Sequence, residues 1–448
     1  MKVDPVFLKW IAGRKLGCLG NNREVMNILI LNTSELTGGA AVAANRLMKA
    51  LRKSGVNASM LVRDKKTTDP NVVSIQDSSW KKMLGLICFL WERIVIFLSN
   101  HLRRKPLFQV SIANTGKDIS SHPLVLEADV IHLHWINQGF LSLNDIKKLL
   151  KLGKPIVWTM HDMWPCTAIC HHSFGCEKFK EECGECPFLR SHKHKDLAYS
   201  VFHKKRFLAD SKIQLVAVST WLRKQAQDSA LTNRLPVEVI PNVIDTSLFV
   251  PSDKEEARKG LSLPLDKKII LMGAARINDP IKGFEYLVKA LSILKERKGE
   301  EDYFLVLFGG IKGDDSFLSE IPIPYVWMGS LSDPSMIAKL YAAADVTVVA
   351  SLYETFGQTI IEGMACGCPA VSFDNSGQTD IINHLENGYL AKYKDTDDLA
   401  TGIKWVIDNR EPLRLNEACI RKVHDCYKES IIAKKYIALY QSLCNKRE

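Results

Sequence analysis

The sequence predicts an α/β protein of two Rossmann-like domains, each built on a parallel sheet. Three observations predict it. Short, fully apolar runs alternate with helical stretches, the pattern of parallel strands covered on both faces. The alternation stops at 245–266, a segment rich in Asp, Ser, Pro and Lys, and then restarts. The chain's 448 residues exceed one ordinary core and suit two large domains.

The first strand is the apolar run from Asn27 to Asn32. Thr37-Gly38-Gly39 then makes a tight turn, and Ala40 to Arg52 reads as a helix. Ala58 to Val62, Val130 to His134, Pro155 to Met160 and Gln214 to Ser219 continue the series as strands. The second series opens with a strand from Lys268 to Gly273 and a helix from Gly283 to Arg297. Further strands run from Tyr303 to Phe308, ending at Gly309-Gly310, from Asp345 to Ala350 and from Pro369 to Phe373. This divides the chain into an extension (1–25), a first domain (26–248), a second domain (249–429) and a final helical segment (430–448).

Apolar residues make up 46% and charged residues 25%, the balance of a soluble globular protein. No run of 18 uncharged apolar residues occurs, which predicts no membrane span. Val6 to Ala12 is broken by Lys9, and Leu16-Gly17-Cys18 lacks a preceding apolar region, so the start of the chain reads against export. Five of the twelve cysteines crowd into 166–186, a local site and not a scattered disulfide framework, which points to the cytoplasm. Residues 1–250 hold 35 Lys and Arg against 21 Asp and Glu, net +14, while the remainder holds 25 against 29, net −4. Only the first half is built to meet something anionic. No nucleic-acid-binding motif accompanies this charge, so an anionic membrane surface or a phosphate-bearing acceptor fits better than nucleic acid.

The chemistry concentrates in the second domain. Tyr353 to Pro369 follows a buried strand, and so occupies the strand end where open α/β sheets bind ligands. Thr355, Phe356 and Gly357 would open a helix whose free N–H groups favour a phosphate. Glu354 precedes that helix and Glu362 lies two turns in, both placed to accept from sugar hydroxyls. Arg276 and Lys282 follow the domain's first strand, where two cations would neutralise charge on a leaving nucleoside diphosphate.

On these residues the chain resembles glycosyltransferase family four, a retaining group of GT-B fold, from about Met26 to Leu443. Its donor motif, two Glu separated by seven residues, is matched by Glu354 and Glu362. The resemblance implies two Rossmann-like domains facing across a cleft, with the final helix folding back on the first. It implies that Glu362 holds the ribose, Glu354 the donor sugar, and Arg276 and Lys282 the diphosphate. Ala275 stands where the family often has Gly, in a loop one residue longer. Gly38-Gly39 matches the family's cleft loop, and His161, at the end of the strand 156–160, matches a cleft-facing His beside the sugar or acceptor. Glu354, His161, Arg276 and Lys282 are thereby the catalytic candidates, and Gly38, Gly39, Thr355, Phe356, Gly357 and Glu362 complete the donor site. The implied reaction is metal-independent transfer of a sugar from a nucleotide sugar to a hydroxyl. The implied acceptor is a saccharide carried on a polyprenyl lipid in bacterial surface polysaccharide assembly.

Four further features need weighing. His132 and His134 face one side of their strand; packing or hydrogen bonding suits His132, and His134 is left open. Cys170, Cys176, Cys183 and Cys186 end in a Cys-x-x-Cys knuckle, which fits structural zinc first, then free thiols or disulfides. A subgroup of exopolysaccharide transferases resembles this stretch, with the His161-Asp-Met-Trp-Pro165 run before such a cluster, implying a stapled loop on the acceptor side. Asp395-Thr396-Asp397 has the form of a metal-binding triplet but precedes a helix, where Asp is an ordinary cap. Trp80 to Lys105 puts Leu84, Ile87, Phe89, Leu90, Trp91, Ile94, Val95, Phe97 and Leu98 between basic clusters, a pattern for a membrane interface or a core helix. Two rival functions share parts of this pattern. A nucleotide-sugar 2-epimerase needs no basic, apolar first domain, and a non-enzymatic nucleotide-binding protein needs no paired carboxylates opposite paired cations.

Overall fold

The computed structural model describes residues 25–102, 107–191, 193–298 and 303–446. All but the last residue of the expected extension, and the basic cluster Arg103-Arg104-Lys105, lie outside the described residues. Strands β1 (Asn27–Ser34), β2 (Asn57–Asp64), β3 (Val72–Ser74), β4 (Val130–Leu133), β5 (Ile156–Met160), β6 (Ile213–Ala217) and β7 (Val237–Val239) form the first sheet. Their order is β3-β2-β1-β4-β5-β6-β7, parallel throughout. Strands β8 (Lys268–Arg276), β9 (Tyr303–Gly310), β10 (Tyr325–Trp327), β11 (Val346–Val349), β12 (Ala370–Phe373) and β13 (Gly388–Ala391) form the second. Its order is β10-β9-β8-β11-β12-β13, again parallel.

Both sheets are doubly wound. Growth reverses between β1 and β4 in the first and between β8 and β11 in the second. Chains leaving the carboxyl ends at such a reversal diverge and leave a crevice. The central strands are mostly apolar because helices cover both faces: β4, β5 and β6 are buried at every position. One contiguous core runs from Leu29, Leu133 and Trp158 of the first domain to Tyr341, Ile360 and Met364 of the second.

The last helix, Glu429–Asn445, crosses back to the first domain and packs Ile432, Tyr436 and Tyr440 beside Ile28, Leu47 and Val157. Burying each such side chain contributes roughly 1.5–3 kcal/mol. The Tyr436 hydroxyl shares a 2.9 Å hydrogen bond with Thr159 Oγ1, and Tyr440 one of 2.7 Å with His132 Nδ1. His132 Nε2 also meets Thr159 Oγ1 at 2.7 Å, so both its ring nitrogens are spent on holding this helix.

Candidate active site

The candidate donor side is built on the two strand ends flanking the second reversal. Arg276 ends β8, and Lys282 follows in the turn Pro280–Lys282, which Asp279 caps. Gly283 closes the turn at φ 66°, and a Cβ there would lie 1.9 Å from the Ala350 carbonyl oxygen. Only glycine lets this loop sit against the end of β11. Lys282 Nζ consequently reaches Glu354 and donates to Oε1 at 2.7 Å. Burial alone would raise the Glu354 carboxyl; Lys282, Ser351 and nearby His172 outweigh it and hold the group below its ordinary value. Arg276 does not join them. It pairs with Asp279 and remains 44% exposed.

Glu354 is followed by an open helix start. Gly357, at φ 117°, caps the helix Gln358–Ala365 without a side-chain hydrogen bond, leaving first-turn N–H groups for an anion. Gly38, at φ 92°, caps the helix Gly39–Lys53 in the same bare way, with no acidic residue in its first turn. Among the described residues a Cβ at Gly38 or Gly39 would meet nothing within 4 Å, so conformation and not crowding requires glycine at Gly38. The Phe356 ring is buried against Tyr427 and belongs to the core. Thr355 Oγ1 donates to the His161 carbonyl oxygen at 2.8 Å, and the Thr355 carbonyl accepts from Ser219 Oγ at 2.7 Å, tying the two domains together.

Glu362 is also engaged across the domains. Arg46, two turns into the first domain's opening helix, donates from Nη2 to Glu362 Oε1 at 2.8 Å. Burial still wins, and the Glu362 carboxyl is held above its ordinary value despite Arg46, Gln358 and Tyr341. The sequence signals nothing about Arg46, since a single Arg in an alanine-rich helix has no motif around it.

The opposite wall carries a chain of imidazoles. His161 Nε2 and His134 Nδ1 share a 2.8 Å hydrogen bond. Burial lowers His161 to about 4, and His134 well below its ordinary value, so both rings are neutral at pH 7. Asp162 accepts from Trp135 Nε1 at 2.9 Å and meets His171 Nδ1 at 2.6 Å. Burial would raise its carboxyl, but His171 and the Trp164 N–H outweigh that and bring it to about 2. His172 lies close enough for Glu354 and Lys282 to act on its titration, and its buried Nδ1 has no partner among the described residues. His171 and His172 belong to the cysteine-rich loop, which thereby forms one wall of the cleft.

Cys170, Cys176, Cys183 and Cys186 line one small cavity of that loop as free thiols. Burial raises Cys183 to about 11 and Cys186 to about 12. Among the described residues no three His, Cys, Asp or Glu side chains stand as a metal centre. The loop is anchored from below by buried Lys205, which donates to the Thr167 carbonyl oxygen at 2.8 Å and sits 3.5 Å from the Trp164 ring centroid. Asp395 caps the helix Thr396–Asn409 through the Asp398 N–H at 3.0 Å, the ordinary role its position predicts.

Two doubly wound sheets, with the Lys282–Glu354 and Arg46–Glu362 pairs between them, form the candidate site, and comparison with known proteins gives its class. Residues 37–248 match the model of Glycosyltransferase Family 4, and residues 253–423 match that of Glycosyl transferases group 1. Matched in both halves, the chain belongs to the GT-B glycosyltransferases. It is 28% identical over 328 residues to an uncharacterized glycosyltransferase of Methanocaldococcus jannaschii, covering 70% of this chain and 75% of that one. It is 26% identical over 288 residues to a D-inositol 3-phosphate glycosyltransferase of Pseudarthrobacter chlorophenolicus, and that match spans only 63% of either chain. Among solved structures, sucrose-phosphate synthase from Thermosynechococcus elongatus superposes with a TM-score of 0.63 at 20% identity, over 93% of this chain and 99% of that one. Anabaena HepE, solved in complex with UDP and glucose, superposes with a TM-score of 0.61 at 18% identity, over 93% of this chain and all of that one. These two likenesses speak to the fold.

Proposed function

We propose that this glycosyltransferase moves a sugar from a nucleotide-sugar donor to a hydroxyl of a saccharide acceptor carried on a polyprenyl lipid, with retention, in surface polysaccharide synthesis. The observation that carries the donor half is the Lys282–Glu354 pair, 2.7 Å long, beside the uncapped helix start at Gly357. A diphosphate fits the free N–H groups of the helix start at Gly357 with Lys282 and, after a swing from Asp279, Arg276. Glu354, kept ionised, accepts from the donor sugar's hydroxyls. Glu362 takes the ribose by exchanging its Arg46 partner for ribose hydroxyls. In the transfer, the bond from the anomeric carbon to the departing phosphate oxygen breaks and a bond to the acceptor oxygen forms on the same face. The acceptor proton passes to the departing phosphate. Lys282 and the helix N–H groups stabilise the charge left on the diphosphate, an effect worth about 2–4 kcal/mol per such contact. His161, neutral and held by His134, is placed to hydrogen-bond the sugar or acceptor. No metal takes part in this scheme, and a zinc at the four cysteines would be structural.

The enzyme in this reading works at the cytoplasmic face of the membrane. Among the described residues no helix is long and apolar enough to cross one. A second reading, a soluble phosphate-bearing acceptor, is favoured by the inositol-phosphate relatives together with the basic first half. Calorimetry with a panel of nucleoside diphosphates, UDP first because HepE holds it, followed by transfer assays with lipid-linked saccharide and with inositol phosphate, tests both. Absence of binding to every nucleotide would overturn the donor assignment.

A further inference from the structure

Helices of soluble domains ordinarily bury their apolar stripe and expose their charges. The helix Ser79–Ser99 does the reverse. Its buried side chains are Glu92, Arg93 and Ile96. Glu92 Oε1 accepts the N–H groups of Ile112 and Ala113 at 2.8 and 2.9 Å, and Arg93 donates to the Val110 carbonyl oxygen at 3.1 Å. The charged pair thus clamps the chain at 107–113 from inside the domain. Trp80, Met83, Leu84, Leu86, Ile87, Leu90, Trp91, Ile94 and Leu98 are all exposed, Trp80 at 63%, Trp91 at 54% and Leu98 at 61%. At 100° per residue they fill roughly 160° of the helix circumference as one unbroken apolar face. Phe89 and Phe97 are half-buried, so the exposed aromatic anchors are Trp80 and Trp91.

We infer that this face docks the first domain on an anionic lipid surface. Its breadth exceeds the narrow two-position seam by which a helix pairs with a second helix. Exposed Lys82 stands at its start, beside half-buried Lys81, which pairs with Asp77, in a half-chain of net charge +14, which suits acidic headgroups and not another copy of the same basic surface. The position also serves the cleft. The helix backbone at Cys88–Phe89 lies against Gly139, where a Cβ would come 2.8 Å from the Phe89 nitrogen. Gly139 belongs to the segment leaving β4, which begins at His134 and runs along the acceptor wall. A membrane under this helix would present a lipid-linked hydroxyl beside that wall. The inference deepens the proposed acceptor class and rests on it for purpose only, since docking is measurable without any acceptor.

The test uses the full chain with vesicles of phosphatidylcholine alone and of phosphatidylcholine with an equal part of phosphatidylglycerol. The protein is expected to co-sediment with the second kind at low salt and to detach as salt rises. The variant Ile87→Gln/Trp91→Gln/Ile94→Gln/Leu98→Gln should bind about tenfold or more weakly, with its melting temperature kept because these side chains already face out. Lys82→Glu, which leaves the Lys81–Asp77 pair in place, should bind about 30-fold more weakly, a difference that closes at high salt. Nucleoside diphosphate binding, measured on the same samples, should be unchanged, which separates failure of docking from failure of the transferase reading. No sedimentation of the wild type with anionic vesicles, or full binding by both variants, would overturn the inference. A wild-type dimer that the first variant dissociates, without vesicle binding, would assign the face to a second copy instead.

Discussion

Replacing Lys282 by Ala separates a structural ion pair from a catalytic one. Lys282 and Glu354 meet at 2.7 Å with 29% and 16% of their side chains exposed. Breaking a fully buried pair by removing one partner costs about 3–5 kcal/mol; here residual solvent reduces that to roughly 1–3 kcal/mol. For a domain of this size that is a fall in Tm of about 2–4 °C per kcal/mol. The pH dependence is specific. In the wild type the Glu354 carboxyl lies below its ordinary value, so its pairing stabilises at neutral pH and is lost only as pH falls through the lowered pKa. Without Lys282, burial dominates and the carboxyl moves above its ordinary value, so ionised Glu354 destabilises at pH 7 and that penalty disappears as the pH is lowered and it protonates. The Tm gap between wild type and variant should therefore be widest near pH 7 and narrow towards pH 5. The double variant Lys282→Ala/Glu354→Gln should recover most of the Tm. Turnover should not recover: loss of the diphosphate contact raises the barrier by about 2–4 kcal/mol, or about 30- to 1000-fold. Thermal melts across pH and single-turnover assays on the same preparations decide it. A stability loss with normal turnover would refute the catalytic role, and a Tm gap constant from pH 7 to 5 would refute the electrostatic account.

Three further outcomes are expected. Glu362→Gln should weaken nucleoside diphosphate binding in calorimetry while Glu354→Gln spares it and harms sugar transfer, and Arg46→Ala should not weaken it, because Arg46 occupies Glu362 at 2.8 Å; tighter loss in Arg46→Ala than in Glu362→Gln would reverse the assignment. Burial holds His132 to about 3 and His161 to about 4, so the unfolded chain binds these protons first; stability should fall between pH 6.5 and 4 by up to about 1.4 kcal/mol per pH unit for each, and melts that are flat over that window would show the rings to be charged in the fold. Zinc at Cys170, Cys176, Cys183 and Cys186 requires about one metal per chain by elemental analysis and a lower Tm on chelation with nucleotide binding kept, whereas a metal-free protein of unchanged Tm leaves the buried free thiols the structure describes.

The two-domain parallel architecture was legible because burial on both faces writes a continuous apolar run into each central strand. Edge strands β3, β7 and β10, of three residues each, carry no such run and escape notice. Glu354, Gly357 and Glu362 were legible as a set because one strand end and one helix place them, so their spacing in sequence is their spacing in space. Lys282 needed only the neighbouring strand end. The sequence could not show that Arg276 turns to Asp279, nor that Phe356 is core, because each depends on what the rest of the chain leaves open.

The sequence by itself determined the elements and the spacing of the candidate donor residues, for both are local: periodicity follows from the pitch of a helix or the pleat of a strand, and the spacing of Glu354 and Glu362 from one strand end and the helix after it. Only the tertiary structure decided the partners. Arg46 meets Glu362 across 316 positions, and His134 meets His161 because β4 and β5 are neighbours, and neither pairing leaves a trace in the order of residues. The helix Ser79–Ser99 makes the same point in reverse. Its composition reads as a core helix or an interfacial one, and the fold decides, since burying Glu92 and Arg93 to hold the chain at 107–113 turns the opposite, apolar face to the outside.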